Sequence, residues 1–320
     1  MLLSFDETAK MISSGKFLHI AGTESLLKKL PKGNWIGGST EYFMSKEGGK
    51  VANDKLFVDN FSYDKFSIRT YDKNSISKVA ADAFDNGFSI VILPFDSVVH
   101  KTYAGKAPEF EGMFIKNIIG WISGLNLNVE GQTPIAVNGL TGEILTDKAA
   151  VMHIEVPKDK MVSLGIVNIF TQDENSPLFE FAVEGFSAKK CLVNGKEVDF
   201  ADFIAQNNID TKLPLIGDYS GQGVNISFKS IENGVVNFYA PVFTGIKYKM
   251  AKSIKDYVKE FNTQLKSLKN VDAAFSCNCI LNFLYGELEN KDIESFFGPI
   301  TFGEIAYQLV NQTLVYVTVS

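Results

Sequence analysis

Two stretches of the sequence share one order of predicted elements, and this repetition constrains the fold more than any other feature. The first runs from Phe66 to Val156 and the second from Val236 to Val319. In both, strands and helices alternate before a Gly-Glu-Ile turn, at residues 142–144 and 303–305, and a last strand follows the turn. We interpret this as an internal duplication of a β-α-β-α-β-β plan. Coincidence is the alternative, because the shared motif is three residues long.

The length of the chain favours two domains. With 320 residues it exceeds the size at which one hydrophobic core usually stops growing. We predict an α+β fold made of two similar layered halves, residues 1–158 and 159–320, with mixed β-sheets covered by helices. Glycine turns end strands in both halves, so we expect them to face a shared cleft that forms the natural pocket.

Local patterns predict individual helices and strands. Ser4 to Glu7 fits a capping box, which predicts a helix that ends near Ser14. The apolar run from Phe88 to Phe95 and the segment Leu314 to Val319 predict strands, and apolar residues at helical spacing predict a long helix from Ser253 to Leu268. The other helices predicted in the two stretches are Ile76–Asn86, Met113–Ser123 and one near Lys291–Phe297.

Composition excludes several classes of protein. Hydrophobic residues make up 45% and charged residues 21%, values typical of a folded globular chain. The net charge of −6 and the scattered lysines and arginines disfavour a nucleic-acid partner. No apolar run reaches the length of a membrane span, and the start of the chain lacks the pattern of a signal peptide. Three cysteines make no disulfide framework, so we expect a cytoplasmic protein.

Six segments carry a resemblance to a known family, in order along nearly the whole chain. They are Gly33–Tyr42, Thr133–Glu143, Leu192–Val198, Ile231–Phe238, Val242–Tyr248 and Ala274–Val319. Together they resemble the FIST family of intracellular sensory domains that bind small ligands. The resemblance implies that residues 1–158 correspond to a FIST N domain and residues 159–320 to a FIST C domain, in a divergent stand-alone member.

Two positions depart from the FIST pattern. Many members have a cysteine at the position of Gly38, and the strand near the end often carries a cysteine followed by an arginine. This chain has Cys277-Asn278-Cys279-Ile280 there, without an arginine. If those residues contact the ligand in the family, the ligand of this protein differs from theirs.

The turn of Gly38, Ser39 and Thr40 is the first candidate for a ligand site, and we predict that all three residues contact the ligand. Ser39 and Thr40 follow two glycines at the end of a predicted strand. Glycine lets backbone N–H groups turn towards a ligand, and the two hydroxyls add donors and acceptors suited to a carboxylate or an amide. An ordinary polar turn is the alternative.

The two Gly-Glu-Ile turns supply further candidates. Glu143 and Glu304 occupy equivalent positions in the proposed duplication, where a carboxylate could receive the ammonium group of a ligand. Asn138 and Thr141 belong to the turn of Glu143, and Thr301 belongs to that of Glu304, so we predict ligand contacts for all five. The alternative is that each carboxylate accepts nearby backbone N–H groups and stabilises its turn.

Cysteine and histidine provide few signs of a metal or cofactor. Cys277 and Cys279 alternate along a predicted strand, but a closed zinc site needs four ligands and Cys191 lies far away in sequence. We nevertheless predict that Cys277 contacts the ligand. His19 and His153 lie within predicted strands and are expected to be core residues. Because some FIST relatives bind haem through a histidine, His100, in a loop after a strand, is the candidate axial ligand.

These observations lead to one expectation with two alternatives. We expect a cytoplasmic sensory protein without a resident metal or cofactor, which binds a polar metabolite such as an amino acid between its halves. It would signal through a separate protein or through self-association into a homo-oligomer. The alternatives are a hydrolase that uses a hydroxyl or thiol in the same cleft, and a haem-based gas sensor.

Overall fold

Strands dominate the structure, with 43% of the residues in strands and 17% in helices. The computed structural model describes residues 1–219, 221–268, 271–291 and 296–320. Parallel and antiparallel pairs occur in the same sheets, and the few helices cover sheet faces. The predicted α+β class with mixed sheets is therefore confirmed.

The elements of residues 1–158 form the first part of the chain. In chain order they are β1 (Leu2–Leu3), α1 (Phe5–Ser13), β2 (Phe17–Gly22), α2 (Glu24–Leu27), β3 (Trp35–Ser39), β4 (Tyr42–Ser45), β5 (Gly48–Val51), β6 (Leu56–Phe61), β7 (Lys65–Tyr71), β8 (Gly87–Pro94), α3 (Val98–Lys106), β9 (Asn117–Ser123), β10 (Ala136–Asn138), β11 (Glu143–Leu145) and β12 (Ala149–Glu155).

The elements of residues 159–320 follow. They are β13 (Val162–Val167), β14 (Phe179–Glu180), β15 (Gly185–Ala188), β16 (Lys190–Val193), β17 (Lys196–Asp199), α4 (Phe200–Gln206), β18 (Leu215–Tyr219), β19 (Gln222–Ile226), β20 (Phe228–Glu232), β21 (Val235–Val242), β22 (Lys247–Met250), α5 (Tyr257–Ser267), β23 (Ala273–Cys279), α6 (Ile280–Tyr285), β24 (Gly298–Thr301), β25 (Glu304–Ala306), β26 (Gln308–Val310) and β27 (Leu314–Val319).

The described strands assemble into five sheets, named sheet I to sheet V. Sheet I has the order β1-β6-β2-β3-β10-β11, sheet II β26-β25-β9-β8-β12-β7, sheet III β13-β27-β23-β24-β4-β5, sheet IV β17-β16-β14-β22-β18-β19 and sheet V β15-β21-β20. Sheets II and III each contain strands from both sides of residue 158. The boundary between the predicted halves stays a prediction, and the two parts of the chain share these sheets.

Sheets I and II pack face to face around a common apolar core. Ile36 and Phe57 of sheet I belong to the same buried cluster as Ile90, Trp121 and Met152 of sheet II. Strand β8 is buried along its whole length, as expected for a continuous apolar run between two covered faces. This packing brings the end of β3 close to the end of β9.

Helices α1 and α2 cover the outer face of sheet I. The Ser4 hydroxyl accepts a hydrogen bond from the backbone N–H of Glu7 at 3.3 Å, and the Glu7 carboxylate accepts one from the N–H of Ser4 at 2.8 Å. The predicted capping box and its helix are thus confirmed. Ile12 of α1 and Leu27 of α2 are buried against Leu18 of β2.

Two predicted helices are wrong. Residues 117–123, within the predicted helix Met113–Ser123, form strand β9. The run Ile118-Ile119-Gly120-Trp121-Ile122 is apolar on both faces, and such a run fits a buried strand as well as a helix. The predicted helix Ile76–Asn86 is reduced to a 3-10 turn at Ile76–Lys78. The two stretches therefore do not share the predicted helix positions, and the structure does not show the duplication.

Other predicted elements agree more closely. The long helix is α5, which begins four residues later than predicted, and β27 has the predicted bounds Leu314–Val319. The helix predicted near Lys291–Phe297 falls on residues 292–295, outside the described residues. Within the described part of the chain, no helix combines the length and apolarity needed to cross a membrane.

Candidate functional site

A polar pocket of about 340 Å³ lies where the chain passes between three sheets. Strand β3 of sheet I ends at Ser39, and Thr40 and Glu41 connect it to β4 of sheet III. The other wall is the loop of residues 124–133, which follows β9 of sheet II. Two of the predicted ligand residues, Ser39 and Thr40, line this pocket. Its described lining residues all lie between Thr23 and Thr133, so this pocket is not the expected cleft between residues 1–158 and 159–320.

The Ser39 hydroxyl forms hydrogen bonds with the backbone at the start of that loop and just after its end. It donates to the carbonyl oxygen of Gly124 at 2.7 Å and accepts from the N–H of Ile135 at 2.9 Å. The N–H of Gly124 donates in turn to the carbonyl of Ser39 at 2.7 Å. The hydroxyl proton of Ser39 is therefore already donated to the backbone, and the side chain stabilises the loop that forms the pocket wall.

Thr40 joins the pocket to the end of the chain. Its hydroxyl donates to the carbonyl oxygen of Ile300 in β24 at 2.7 Å and accepts from the N–H of Tyr42 at 3.2 Å. Thr40 is 1% exposed, so this bond to Ile300 is shielded from water. The side chain fixes the crossing from sheet I to sheet III.

Glu41 is the carboxylate of the pocket that is not paired with a described lysine or arginine, and the sequence analysis did not select it. Its side chain is 7% exposed. Asn126 Nδ2 donates to Glu41 Oε2 at 2.7 Å, and Gln132 Nε2 donates to Oε1 at 3.2 Å. The backbone N–H of Asn126 also donates to Gln132 Oε1 at 2.7 Å. The position of Glu41 directly after Ser39 and Thr40 could have indicated a role in the same site. Its amide partners could not be found from the sequence, because they lie about ninety residues away.

Gly38 belongs to the core and does not line the pocket. A Cβ atom at this position would lie 2.6 Å from Ile92 Cγ2 and 2.7 Å from Trp121 Cη2. The absence of a side chain here lets sheet I approach sheet II. Gly38 is not among the described residues that line the pocket, so its predicted contact with the ligand stays a prediction.

Asn138, Thr141 and Glu143 form a separate turn that the pocket does not include. Asn138 Oδ1 accepts from the N–H groups of Leu140 and Thr141 at 3.1 and 3.3 Å. Glu143 is exposed, and its carboxylate pairs with Lys148 at 2.8 Å. These contacts fit the alternative in which the turn residues stabilise their own turn.

Glu304 lies in a different environment from Glu143. It is fully buried, and its Oε2 accepts from the hydroxyl of Thr313 at 2.8 Å and from the N–H of Thr313 at 3.3 Å. Burial raises the pKa of Glu304 to about 8, against the opposing effect of hydrogen bonds from Thr313 and Thr301. The two glutamates are therefore not equivalent in structure.

The Thr301 hydroxyl indicates which form of Glu304 fits. Its oxygen lies 3.2 Å from the carbonyl oxygens of Asn278 and Gly303 and 3.1 Å from Glu304 Oε1. A hydroxyl has one proton, and carbonyl oxygens can only accept. When Thr301 donates to a carbonyl oxygen, its hydroxyl oxygen can accept a hydrogen bond from the protonated carboxyl of Glu304. The geometry thus agrees with a neutral carboxyl at pH 7.

Nearly the whole sequence matches a family model. A family of unknown function, DUF6976, matches residues 3–320. The chain belongs to DUF6976. No curated protein matches the chain. The match extends over both predicted halves and includes the pocket of Glu41 and the buried surroundings of Glu304.

The cysteines of this DUF6976 member are buried. The Cys277 thiol donates to the carbonyl of Gly120 at 3.4 Å, and Cys279 is hydrogen-bonded to Glu304. Burial raises the pKa of both thiols well above the usual range. The described residues contain no group of three or more side chains that could hold a metal ion.

His19 and His153 are core residues, as predicted. His19 is bonded to Asp59 at 2.9 Å and accepts from Trp121 Nε1 at 2.9 Å. His153 lies 2.7 Å from Ser89 Oγ, the kind of pair found in nucleophilic catalysis. Both members are at most 1% exposed, and neither lines a described pocket, so the pair is closed to a substrate.

His100 lies in the first turn of helix α3, so its predicted position in a loop is wrong, and its geometry does not fit a haem ligand. It is 2% exposed, and its Nδ1 accepts from the N–H of Asp96 at 3.1 Å, so the proton of the neutral ring is on Nε2. A neutral imidazole that binds iron through Nε2 carries its proton on Nδ1, where it would oppose the N–H of Asp96. Burial lowers the pKa of His100 to about 3, so the ring is neutral.

Proposed function

We propose that this DUF6976 protein binds a small polar metabolite with an amino group, such as an amino acid, in the pocket of Glu41. We propose further that it acts as a cytoplasmic sensory protein of FIST type. The nearly buried carboxylate of Glu41 supports the binding function, and the resemblance of the six sequence segments supports the sensory role.

The charge of the pocket favours a cationic group. Its described lining contains Glu24 and Glu41 and neither lysine nor arginine. Glu24 is paired with Lys28, whereas Glu41 has only the neutral amides of Asn126 and Gln132 as partners among the described residues. A carboxylate oxygen has more than one acceptor position, so each oxygen can take another hydrogen bond. An ammonium group supplies such donors together with the missing positive charge.

The rest of the pocket suits a polar ligand. Asn53 and Thr133 line it and are exposed, so their amide and hydroxyl can bond to a ligand carboxylate or amide. The volume of about 340 Å³ lies at the lower end of the range for small-molecule pockets. These properties match a compact metabolite better than a nucleotide or a lipid.

The same bonds connect the pocket to a loop that could report binding. Asn126 and Gln132 are both part of the loop of residues 124–133, and the N–H of Leu127 donates to the Tyr42 hydroxyl at 3.1 Å. A ligand that bonds to Glu41 changes the partners that hold this loop. A separate protein or a second copy of the chain would read the change in the loop.

The hydrolase alternative has less support. The hydroxyl protons of Ser39 and Thr40 are donated to backbone carbonyls, and the Cys277 thiol is buried. Among the described residues, no titratable side chain is hydrogen-bonded to any of these three groups. A hydroxyl nucleophile needs an adjacent base, so catalysis is not favoured at this pocket.

A thermal-shift screen tests the proposal. Amino acids, nucleobases and small carboxylates are added at millimolar concentration to the full chain. Bound ligand at a hundred times its Kd adds about 2.7 kcal/mol to the free energy of unfolding. We expect an amino-bearing compound to raise the melting temperature by a few degrees, and we expect carboxylates without an amino group to have no effect.

Two matched variants assign the site. Glu41→Gln removes the charge and should abolish the shift, whereas Glu24→Gln removes an already paired charge of the same pocket and should preserve it. The melting temperature of each variant without ligand serves as the control for folding. The absence of a shift with every compound, or an unchanged shift in Glu41→Gln, would overturn the proposal.

A further inference from the structure

Strand β13 forms one edge of sheet III, and its outer side has no partner among the described strands. On its inner side it pairs with β27 in an unbroken antiparallel register over all six of its residues. Gly165 does not interrupt the strand, because the ring of Tyr316 covers it: a Cβ atom at Gly165 would lie 2.2 Å from Tyr316 Cζ. The edge is therefore regular along its whole length.

Three residues of β13 direct their backbone groups outwards. Met161 and Ser320, which directly precede β13 and follow β27, exchange two hydrogen bonds of 3.0 Å. In an antiparallel ladder every second residue forms such a pair, so alternate residues of β13 bond to β27. The N–H and carbonyl groups of Val162, Leu164 and Ile166 point the other way and have no partner among the described residues. Such a row of unpaired groups can pair with another strand.

Strand β13 differs from the other strands at the edges of the described sheets. Strands β1, β11, β15 and β26 have two to four residues, and β5, β7, β17 and β20 carry charged side chains. In β19 the last three of the five residues are buried. Short, charged or covered edges protect a sheet against pairing with another chain. Strand β13 has six residues without a charge or a proline, and so lacks this protection.

The sequence of β13 is complementary to itself. In an antiparallel pair of two copies centred on Leu164, Val162 of each copy lies opposite Ile166 of the other, and the two Leu164 residues face each other. All the outward N–H and carbonyl groups of both copies then bond across a two-fold axis. The three side chains lie on one face of the sheet, so each has an aliphatic neighbour on the opposite strand.

The surroundings of β13 are compatible with this register. Lys160 is the charged residue nearest to β13 in the sequence, and it would lie opposite Asn168 of the second copy, so no like charges meet. Ile166 is 42% exposed, and the pairing would cover it with the aliphatic side chain of Val162. Since these matches arise from the sequence of β13 itself, a second copy of the chain is the partner that this edge fits.

We propose that two copies of the chain associate through β13, with the two strands antiparallel and Leu164 on the two-fold axis, so that sheet III continues from one copy into the other. The described lining of the pocket of Glu41 does not include β13. The association therefore needs no ligand, and its test is independent of the test of the proposed binding function.

Sedimentation velocity of the full chain tests the proposal. We expect the average mass to rise from that of one chain towards twice this value between about 1 and 100 µM, because an edge-to-edge contact is small and its affinity modest. Ile166→Lys should weaken the association by about tenfold or more, because it places a charge in the edge. Ile231→Lys is the matched control: Ile231 is 43% exposed in the edge strand β20, which already carries charges, and the change should leave the association as it was.

Hydrogen exchange followed by mass spectrometry locates the contact. The N–H groups of Val162, Leu164 and Ile166 should exchange more slowly at about 100 µM than at about 1 µM, and Ile166→Lys should remove this difference for the first two. Thermal melts check that both lysine variants fold. Three results would overturn the proposal: the mass of one chain at every concentration, equal association of Ile166→Lys and the unchanged protein, or a dimer in which exchange within β13 does not depend on concentration.

Discussion

Replacing Glu304 with Gln tests whether this buried carboxyl is protonated at neutral pH. A glutamine has nearly the same shape, its oxygen can accept from Thr313, and its amide can donate to Thr301 in place of the acid proton. The variant therefore retains the hydrogen-bonding pattern of the neutral acid. What it loses is the ability to ionise.

The expected effect on stability follows from the two pKa values. Burial raises the pKa of Glu304 to about 8 in the folded chain, from an ordinary value of 4.5. Between these values the folded state holds a proton that the unfolded state has released, so stability is highest below pH 4.5 and falls as the pH rises through 8. At about 1.4 kcal/mol per pH unit, the whole fall is about 5 kcal/mol, and about 3 kcal/mol of it is already lost at pH 7.

Urea unfolding at a series of pH values measures this effect. We expect the free energy of unfolding of Glu304→Gln, relative to that of the unchanged protein, to rise by about 1.4 kcal/mol per pH unit from pH 5 to pH 8. Glu143→Gln is the matched control, because Glu143 occupies the other Gly-Glu-Ile turn and is exposed. It should leave the pH dependence unchanged. A constant difference between Glu304→Gln and the unchanged protein over this range would refute the argument that Glu304 is neutral.

Three other predictions concern the core. Burial lowers the pKa of His153 from 6.5 to about 4, so the neutral ring contributes its full stability above pH 6.5. The free energy of unfolding should fall by about 3 kcal/mol as the pH falls to 4. Urea unfolding of His153→Gln should show a smaller fall over the same pH range. Gly38→Ala should lower the free energy of unfolding by about 1–3 kcal/mol, because it overpacks the contact between sheets I and II. Gly105→Ala, in an open helical position, is the control and should stabilise the protein or have little effect. Thermal melts compare the two variants. The three buried cysteines should react with a thiol reagent in urea but not in the native protein, and rapid native labelling would contradict their burial.

Sequence patterns were sufficient where a contact is local. The capping box at Ser4 and Glu7 involves residues three apart, so the structure formed what the sequence predicted. Strand β8 was predictable because its apolar run is bounded by turn residues. The same reasoning failed for Met113–Ser123, because an apolar run with two polar residues fits a helix and a buried strand equally, and its neighbours β8 and β25 decide in favour of the strand.

The candidate site shows the same division. The position of a turn at Ser39 and Thr40 could be predicted, since glycines at the end of a strand mark it in the sequence. The partners of that turn could not, because Thr40 bonds to Ile300 across 260 residues and Glu41 bonds to Gln132 across 91. Those bonds determine that the hydroxyls shape the pocket and that the adjacent carboxylate carries its charge.

By itself, the sequence determined the α+β class, the bounds of strands such as Leu314–Val319 and the places where the chain turns, because these depend on neighbouring residues. Tertiary structure alone decided that Glu143 is exposed and Glu304 is buried, although the same three-residue motif surrounds both. The reason is solvation: a carboxyl beside water ionises, whereas one enclosed by packed sheets remains neutral. Which of these environments a residue occupies depends on strands far away in the chain.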